Sequence, residues 1–359
     1  MAIDVPVYTT RETIKRALDQ GEVARNNVNI DRCIETASRN AETLCHRHAF
    51  YPQVDTRKFD WPNEQDALSW RLWLDDHLLI SVTSMTSGGD AISTSSIFLE
   101  PNRSGPPFNQ LQISTASSAA FGIGSTHQQD ISITGLWGWN DDHTTAGVTV
   151  EALDASETGV DVDAAASARV GVGSILKIGT ERLLVTERVQ LDTGVNVGGA
   201  GLTNGKGDTA LTVADGTVFA VGEVLLIDSE RVLVTDIAGN TLVIERAFDG
   251  TNSAAHTTSS DIYAPRTLTV TRGALGSTAA THDNGATVSV WTVPPALRQL
   301  VTSEAIHELM QEQTGWFRTM SASSIFGGTA KRAATIDAIV DYREQAYRTH
   351  GRKARSRTV

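Results

Sequence analysis

Two strings in the middle of this chain each occur twice, and the order of the four pieces restricts the fold more than any other feature. VGSILKIGTERLLVT at 172–186 aligns without gaps on VGEVLLIDSERVLVT at 221–235, and TLVIERAFDGTNSAAH at 241–256 aligns on TLTVTRGALGSTAATH at 267–282. Tandem copies would alternate the two strings. Here the first string occurs twice before the second occurs twice. The copy at 203–264 is therefore complete, whereas the other begins near Thr158 and is finished only by 266–291. One β-module thus lies inside a loop of another of the same kind, an insertion that turns tolerate because few contacts are lost there. The expected boundaries are an outer module of 158–202 plus 266–291 and a nested module of 203–264, with Leu202 and Thr267 close in space.

The middle is dominated by Gly, Thr, Ser, Ala and Val, which favours short strands and turns and makes 151–292 an all-β insertion. With 359 residues the chain suits two or three domains, and its ends read differently from its centre. Thr9 followed by Glu12 is a capping-box pattern; Ile14, Ala17 and Leu18 give a short first helix a buried side, and Gly21 helps to end it. Asn29 caps a second helix in which Ile30, Cys33, Ile34, Ala37, Ala41, Leu44 and Cys45 recur at helical spacing. From Tyr51 the pattern alternates, with Val54, Thr56, Lys58 and Asp60 on one side and Asp55, Arg57 and Phe59 on the other. Trp70, Leu72 and Leu74, the Asp75-Asp76-His77 turn and the apolar run 78–82 read as a hairpin. Gly88 and Gly89 supply the next turn, 101–107 is a long loop, and Ile131, Ile133 and Gly135 lead into Trp137 and Trp139 as a further strand.

After Trp291, Pro294 and Pro295 open a helix with Leu297, Leu300, Val301, Ala305, Leu309 and Met310 at helical spacing, interrupted at Gly315. SASSIFGG at 321–328 reads as a loop, and a last helix holding Ile336, Ile339, Val340 and Tyr347 ends before Gly351. The expected class is α+β: a small helical core with an antiparallel sheet, plus an all-β insertion of two nested β-modules. The domains are 1–150, 151–292, 293–347 completing the helical core, and a basic tail at 348–359.

Candidate chemistry is sparse. His256 and His282 match between copies, yet Asp249 is matched by Leu275 and Asp283 by Thr257, so they read as loop histidines that pack or bond the turn. Glu181 and Glu230 also match and imitate paired catalytic carboxylates, but they fall where a hairpin turn is expected and read as structural. Asp141, Asp142 and His143 offer fewer oxygen ligands than hard cations usually take. GVNVGGAGLTNGKGDT at 194–209 lacks the Gly-Lys-Ser/Thr ending of a phosphate loop and reads as a flexible linker. Neither a Gly-x-Ser-x-Gly elbow nor a metalloprotease His-Glu pair occurs. No catalytic activity, cofactor or metal is expected.

Cys33 and Cys45 share one predicted helix about 18 Å apart, too far for a disulfide, and suit a reducing compartment. The chain shows neither a signal peptide nor an apolar stretch long enough for a membrane. The formal net charge of −12 argues against gripping nucleic acid with the whole surface. Against that background Arg348, Arg352, Lys353, Arg355 and Arg357 form a basic C-terminal run without an acidic residue, suited to docking on an acidic partner or, as the alternative, to contacting DNA.

The flanks carry a resemblance. The helix NIDRCIETASRNAETLCHRHAF, then WRLWLDDHLLISVTSMTSGGDAI running on to FLEPNRSGPPFNQLQI, then ISITGLWGW and the closing helices, resemble in content and order the head-to-tail adaptor (connector, or head-completion) proteins of long-tailed bacteriophages. The resemblance covers 1–150 and 294–359. The ER-x-x-VT and RG-x-x-G-S/T-x-A-x-H strings separately look like a β-module of several phage structural proteins. The resemblance implies a virion protein of the neck, made in the host cytoplasm. It would assemble as a dodecameric ring that docks on the portal protein through its C-terminal region, offers its far face to a tail-side neck or tail-terminator protein, and passes DNA without sequence-specific binding. An acidic ring keeps a threaded duplex from sticking. The large insertion departs from the family pattern. The rival readings are an adhesin or carbohydrate-binding β-protein, with Trp137, Trp139 and Trp291 as stacking platforms, and a hydrolase with a site in the β-region.

Overall fold

A computed structural model describes residues 3–18, 24–62, 70–102, 105–317 and 328–352. The fold is α+β. Two helices, α1 (Arg11–Leu18) and α2 (Ala24–Cys45), precede strands β1 (Gln53–Phe59), β2 (Arg71–Trp73), β3 (Leu79–Ser87), β4 (Asp90–Ile92), β5 (Ile97–Glu100), β6 (Gln110–Ile113) and β7 (Ile131–Trp137). The β-rich middle holds β8 (His143–Val148), β9 (Gly159–Asp161), α3 (Ala164–Arg169), β10 (Ile175–Ile178), β11 (Glu181–Asn196), β12 (Ala210–Thr212), β13 (Val224–Ile227), β14 (Glu230–Ala238), β15 (Thr241–Glu245), β16 (Asp261–Thr271) and β17 (Thr287–Trp291). Helices α4 (Pro295–Phe317) and α5 (Gly328–His350) close the chain. Among the described residues no helix is long and apolar enough to cross a membrane.

The chain divides into two compact units. One comprises Met1–Ser38, His143–Ala274 and Thr278–Tyr342; the other Arg39–Asp142, Leu275–Ser277 and Arg343–Val359. The division does not follow the boundaries expected at 150, 292 and 347. Instead α1 and the first part of α2 cluster with the β-modules, for reasons visible in individual contacts. The Tyr8 ring packs edge-on against Trp291 at 6.2 Å, Thr9 and Thr302 share a 2.8 Å hydroxyl hydrogen bond, and buried Arg11 joins Asp31 of α2 to Glu187 of β11.

In the first unit an antiparallel sheet runs β12-β15-β14-β13-β16-β11-β10-β17-β8, with β9 pairing β16. Its organising feature is a pair of long strands. Residues 184–189 of β11 pair with 267–271 of β16, and 191–196 pair with 261–264, with register shifts within and between the two stretches. Pro265, which has no N–H to donate, sits at the shift between Thr267 and Ala264, where a missing ladder bond costs least. The inner module takes 191–197, β12, β13, β14, β15 and 261–264; the outer takes β8, β9, β10, 181–189, 267–271 and β17. In both, the spatial order is second, fifth, fourth, third, sixth, first. Separate hydrophobic clusters follow: Leu211, Leu225, Val232 and Ile244 among others inside, and Val160, Leu176, Leu183 and Val288 outside.

The module edges differ from expectation. The outer cluster reaches back to Ala146 and Leu153, ahead of Thr158, while Val195, Val197 and Leu202 belong to the inner cluster. Leu202 accordingly pairs with His256 and not with Thr267; each donates its N–H to the other's carbonyl at 2.8–2.9 Å. The glycine-rich 194–209 stretch is thus tied to the sheet through 194–197 and Leu202, while 203–209 is turn and loop. Gly201 serves close approach: its φ is +79°, and a Cβ there would collide with the His256 carbonyl oxygen.

The outer module is covered on its second face. Ile175 and Leu184 are buried, whereas their inner counterparts Val224 and Leu233 are half-buried. The N-terminal segment supplies the cover, since Gly173 lies against Val7 and Ile3. Helix α1 is capped by Thr10, whose Oγ1 accepts from Thr13 N, while Thr9 is turned to Thr302. Its buried side holds Arg11, Ile14 and Lys15; Ala17 is exposed and Leu18 half-buried, because the helix packs a charged network and not an apolar stripe. Helix α2 begins before Asn29, and its expected stripe from Ile30 to Cys45 is buried apart from half-buried Leu44. Gly315 does not interrupt α4, since the cost of about 1 kcal/mol for a helical glycine is small beside burial of Leu297, Leu300, Val301, Ala305 and Leu309. The stretch 321–327 lies outside the described residues.

In the second unit a four-stranded sheet, β1-β7-β3-β4, accompanies a three-stranded one, β2-β6-β5. Trp137, Phe59, Met85 and Leu111 lie in one buried cluster. The turn at Asp75 and Asp76 forms, but β2 and β3 do not pair across it: β2 joins β6 and β3 joins β7. Turn chemistry was local and legible; the choice of partner was not. Gly88 and Gly89 do form the β3–β4 turn.

Asp192 and Tyr263 are paired at the mouth of the inner module. Replacing 193–262 by a two-residue Asn-Gly turn should leave the outer module folded, because loop-closure cost depends only weakly on length. Circular dichroism and a single cooperative melt check this outcome. Excising 203–264 instead should expose Val195, Val197 and Leu202 and give an aggregating product.

Candidate functional site

The repeat-matched Glu and His residues converge, and each set recruits an arginine. Glu230 opens β14 at the hairpin with β13, opposite Ile227, and Glu181 opens β11 opposite Ile178. In the inner module Arg246 Nε and Nη2 each donate to one Glu230 oxygen at 2.7 Å. The backbone N–H groups of Ala247 and Ala254 add 2.9 Å bonds, and His256 Nε2 lies 2.9 Å from Oε2. The outer module repeats this with Arg272 at 2.7 and 2.9 Å, Gly273 N at 3.0 Å, Ala280 N at 3.1 Å and His282 Nε2 at 2.7 Å from Glu181.

Each arginine spends its remaining donors on carbonyls. Arg246 donates to Thr203, Asp208 and Ala254; Arg272 donates to Asp154, Glu157 and Ala280. A left-handed residue at the same place in both copies, Ala247 with φ +56° and Gly273 with φ +57°, turns its N–H onto the carboxylate. The clip therefore fastens the loop carrying the histidine and the loop before the second strand to one buried carboxylate.

Both carboxylates are fully buried. Burial alone would push their titration upward, but Arg272, the Gly273 amide, His282 and the Ala280 amide outweigh it and hold Glu181 at about 2. Arg246, the Ala254 amide, His256 and the Ala247 amide do the same for Glu230, also at about 2. Carboxylates so saturated have no lone pair left for a substrate proton, so the structural reading of both pairs stands on geometry. One difference separates the copies. Asp228 places Oδ2 2.7 Å from His256 Nδ1, whereas Gly179 occupies the matching place in the outer module.

The other expected candidates are dispersed. Asp142 accepts from Asn140 Nδ2, and His143 starts β8 opposite Trp291. Trp137 and Trp291 are buried, at 1% and 3% exposure, and cannot stack a sugar. Half-buried Trp139 packs against His350 with ring centroids 4.3 Å apart. Among the described residues one group of three ligand-type atoms converges: Cys33, Glu308 and Glu312. Arg32 already pairs with both Glu312 oxygens, and burial pushes the Cys33 thiol up to about 12, far from the thiolate a metal requires. Burial likewise raises Cys45 to about 11.

The basic run at the C-terminus is partly built into the fold. Arg348 lies in the last turn of α5 beside Glu344, His350 is buried against Phe50 and Trp139, and Arg352 donates its N–H to the Cys45 carbonyl and approaches Asp75 at 3.5 Å. The expectation of a tail beginning at Arg348 is corrected for 348–352, which belong to the fold. Lys353, Arg355 and Arg357 lie outside the described residues.

A further feature escaped the reading of the sequence. A cleft of about 530 Å³ opens between the start of α1, the end of α3, residues 187–190 of β11 and the inner module near Phe248. It is cationic on an acidic chain, and its basic residues are too scattered in sequence to announce themselves. Arg246 and Arg272, by contrast, stood at matching places in the repeats and were a signal available beside the two glutamates. Comparison with family models, curated proteins and solved structures finds no match.

Because Glu181 and Glu230 titrate below their usual value, they stabilise the fold fully above about pH 4.5, and that contribution is lost as pH falls toward 2. Glu230→Gln should destabilise the protein by about 3 kcal/mol, since it strands Arg246. Thermal melts from neutral to acid pH should show a lower Tm for the variant at neutrality and convergence with wild type near pH 2.

Proposed function

We propose that the chain is a structural protein of a phage neck: a head-to-tail adaptor that forms a ring between portal and tail and conducts DNA. One observation carries the reading beyond the resemblance of the flanks. β8 and β17 are neighbours, with His143 opposite Trp291 and Thr287 opposite Val148, so the chain enters and leaves the β-modules through adjacent strands. The modules are thereby an insertion in the topological sense, set into a framework whose α1 packs with α4. This is the arrangement wanted of an adaptor that has acquired an extra β-region. The saturated clips account for the most enzyme-like residues as fasteners, and the function then belongs to surfaces.

In this reading the protomer completes its packing against neighbours in a homo-oligomeric ring, twelve copies by the resemblance. The C-terminal cations dock on an acidic groove of the portal, and the repeated weak contacts sum by avidity. Purified protein should appear as a closed ring in native mass spectrometry and electron microscopy, and antibodies should find it in purified particles. Removing 353–359 should spare folding and ring closure but impair attachment to portal-bearing heads in a salt-dependent way. Absence from particles, or turnover of a defined substrate, contradicts the reading.

A further inference from the structure

The cationic cleft points to a partner. Six basic side chains line it: Arg11, Lys15, Arg16, Arg169, Arg188 and Arg231. The three carboxylates of the lining are already engaged. Glu187 meets Arg11 at 2.9 Å, Asp249 meets Arg231 at 3.5 Å, and Glu12 accepts the Val172 N–H and stands 3.7 Å from Arg188. Among the described residues, neither Arg16 nor Arg169 has a carboxylate within ion-pairing distance, and both are exposed. Arg16 lies over the Phe248 ring at 5.8 Å, and Arg169 gives one Nη to the Thr145 carbonyl. Val189 stands 49% exposed in the lining, an apolar foothold between the charges.

We propose that this cleft receives a carboxylate-bearing segment of a second copy of the chain and is one half of the ring's head-to-tail interface. The inference rests on the ring reading. A chain of net charge −12 repels its own copies, so closing a ring of them requires local contacts of opposite sign. A heterologous interface brings two different patches together, and here a basic patch faces an excess of acidic surface. The volume suits a side-chain-sized insertion and is too small for a duplex to enter. The cleft is formed by α1, α3 and both modules together, so the insertion shapes assembly and is not a passive ornament.

The test uses the full chain and the variants Arg16→Glu/Arg169→Glu, Arg16→Gln/Arg169→Gln and Arg16→Lys/Arg169→Lys, sized by native mass spectrometry and sedimentation at about 50 and about 500 mM salt. Wild type should assemble at low salt and loosen at high salt. The Glu pair should raise the concentration needed for assembly about tenfold or more, with the Gln pair between and the Lys pair near wild type. Both residues are exposed and each has one internal contact, so unfolding midpoints should move only slightly; should the Glu pair fail to fold, the Gln pair decides. Rings from the Glu or Gln pair at wild-type concentration overturn this inference and leave the ring reading intact. Failure of wild type to assemble at either salt removes the ring reading and the inference with it. Binding of a fluorescent DNA duplex by wild type but not by the Glu pair assigns the cleft to nucleic acid instead and overturns the inference.

Discussion

Two carboxylates removed from water set the terms for the β-region. A buried ion is tolerated only when its charge and all its lone pairs are met, and removing one partner costs several kcal/mol. Glu181 and Glu230 each meet that demand with one bidentate arginine, two amides and a histidine. The compensation draws in residues 91 to 101 positions distant in the outer module but only 16 to 26 in the inner one. The same local chemistry thus closes a short loop once and, across an entire inserted module, a long one.

The insertion works because β11 and β16 belong to both modules. Each strand leaves one core and enters the other without leaving the sheet, and Pro265, which has no N–H to donate, falls at the register shift between the two stretches. The N-terminal segment and α1 then cover what the outer module leaves open, and Arg11 anchors them by binding Asp31 and Glu187 at once. The inner module has less cover, and Val221 and Val243 remain exposed on it.

Charge gives the proposed assembly its logic. Most of the acidic surface discourages contact with DNA and with other copies alike, which suits a conduit but opposes a ring. A cleft that concentrates cations within the first unit, and the basic residues beyond Arg352 in the sequence, would resolve the conflict locally. The proposed role of the cleft therefore depends on the adaptor reading, whereas the adaptor reading does not depend on the cleft.

Periodicity and repetition by themselves determined the helices at 30–45 and 297–310, the strands at 53–59 and 131–137, the Gly88-Gly89 turn and the nesting of the modules. These are short-range patterns or literal duplications, and the backbone answers to them directly. The α+β class follows from the same patterns. Tertiary structure alone decided which strands met, since β2 and β3 flank a good turn and still pair elsewhere, and a strand's partner is set by which apolar face finds a complement. It also decided that Thr10 and not Thr9 caps α1, that Leu202 lies in the inner core, and that Trp137 and Trp291 are core and not platform. The cleft was least legible of all: its six cations come from α1, α3, β11 and β14, and only folding brings charges so far apart in sequence around one cleft.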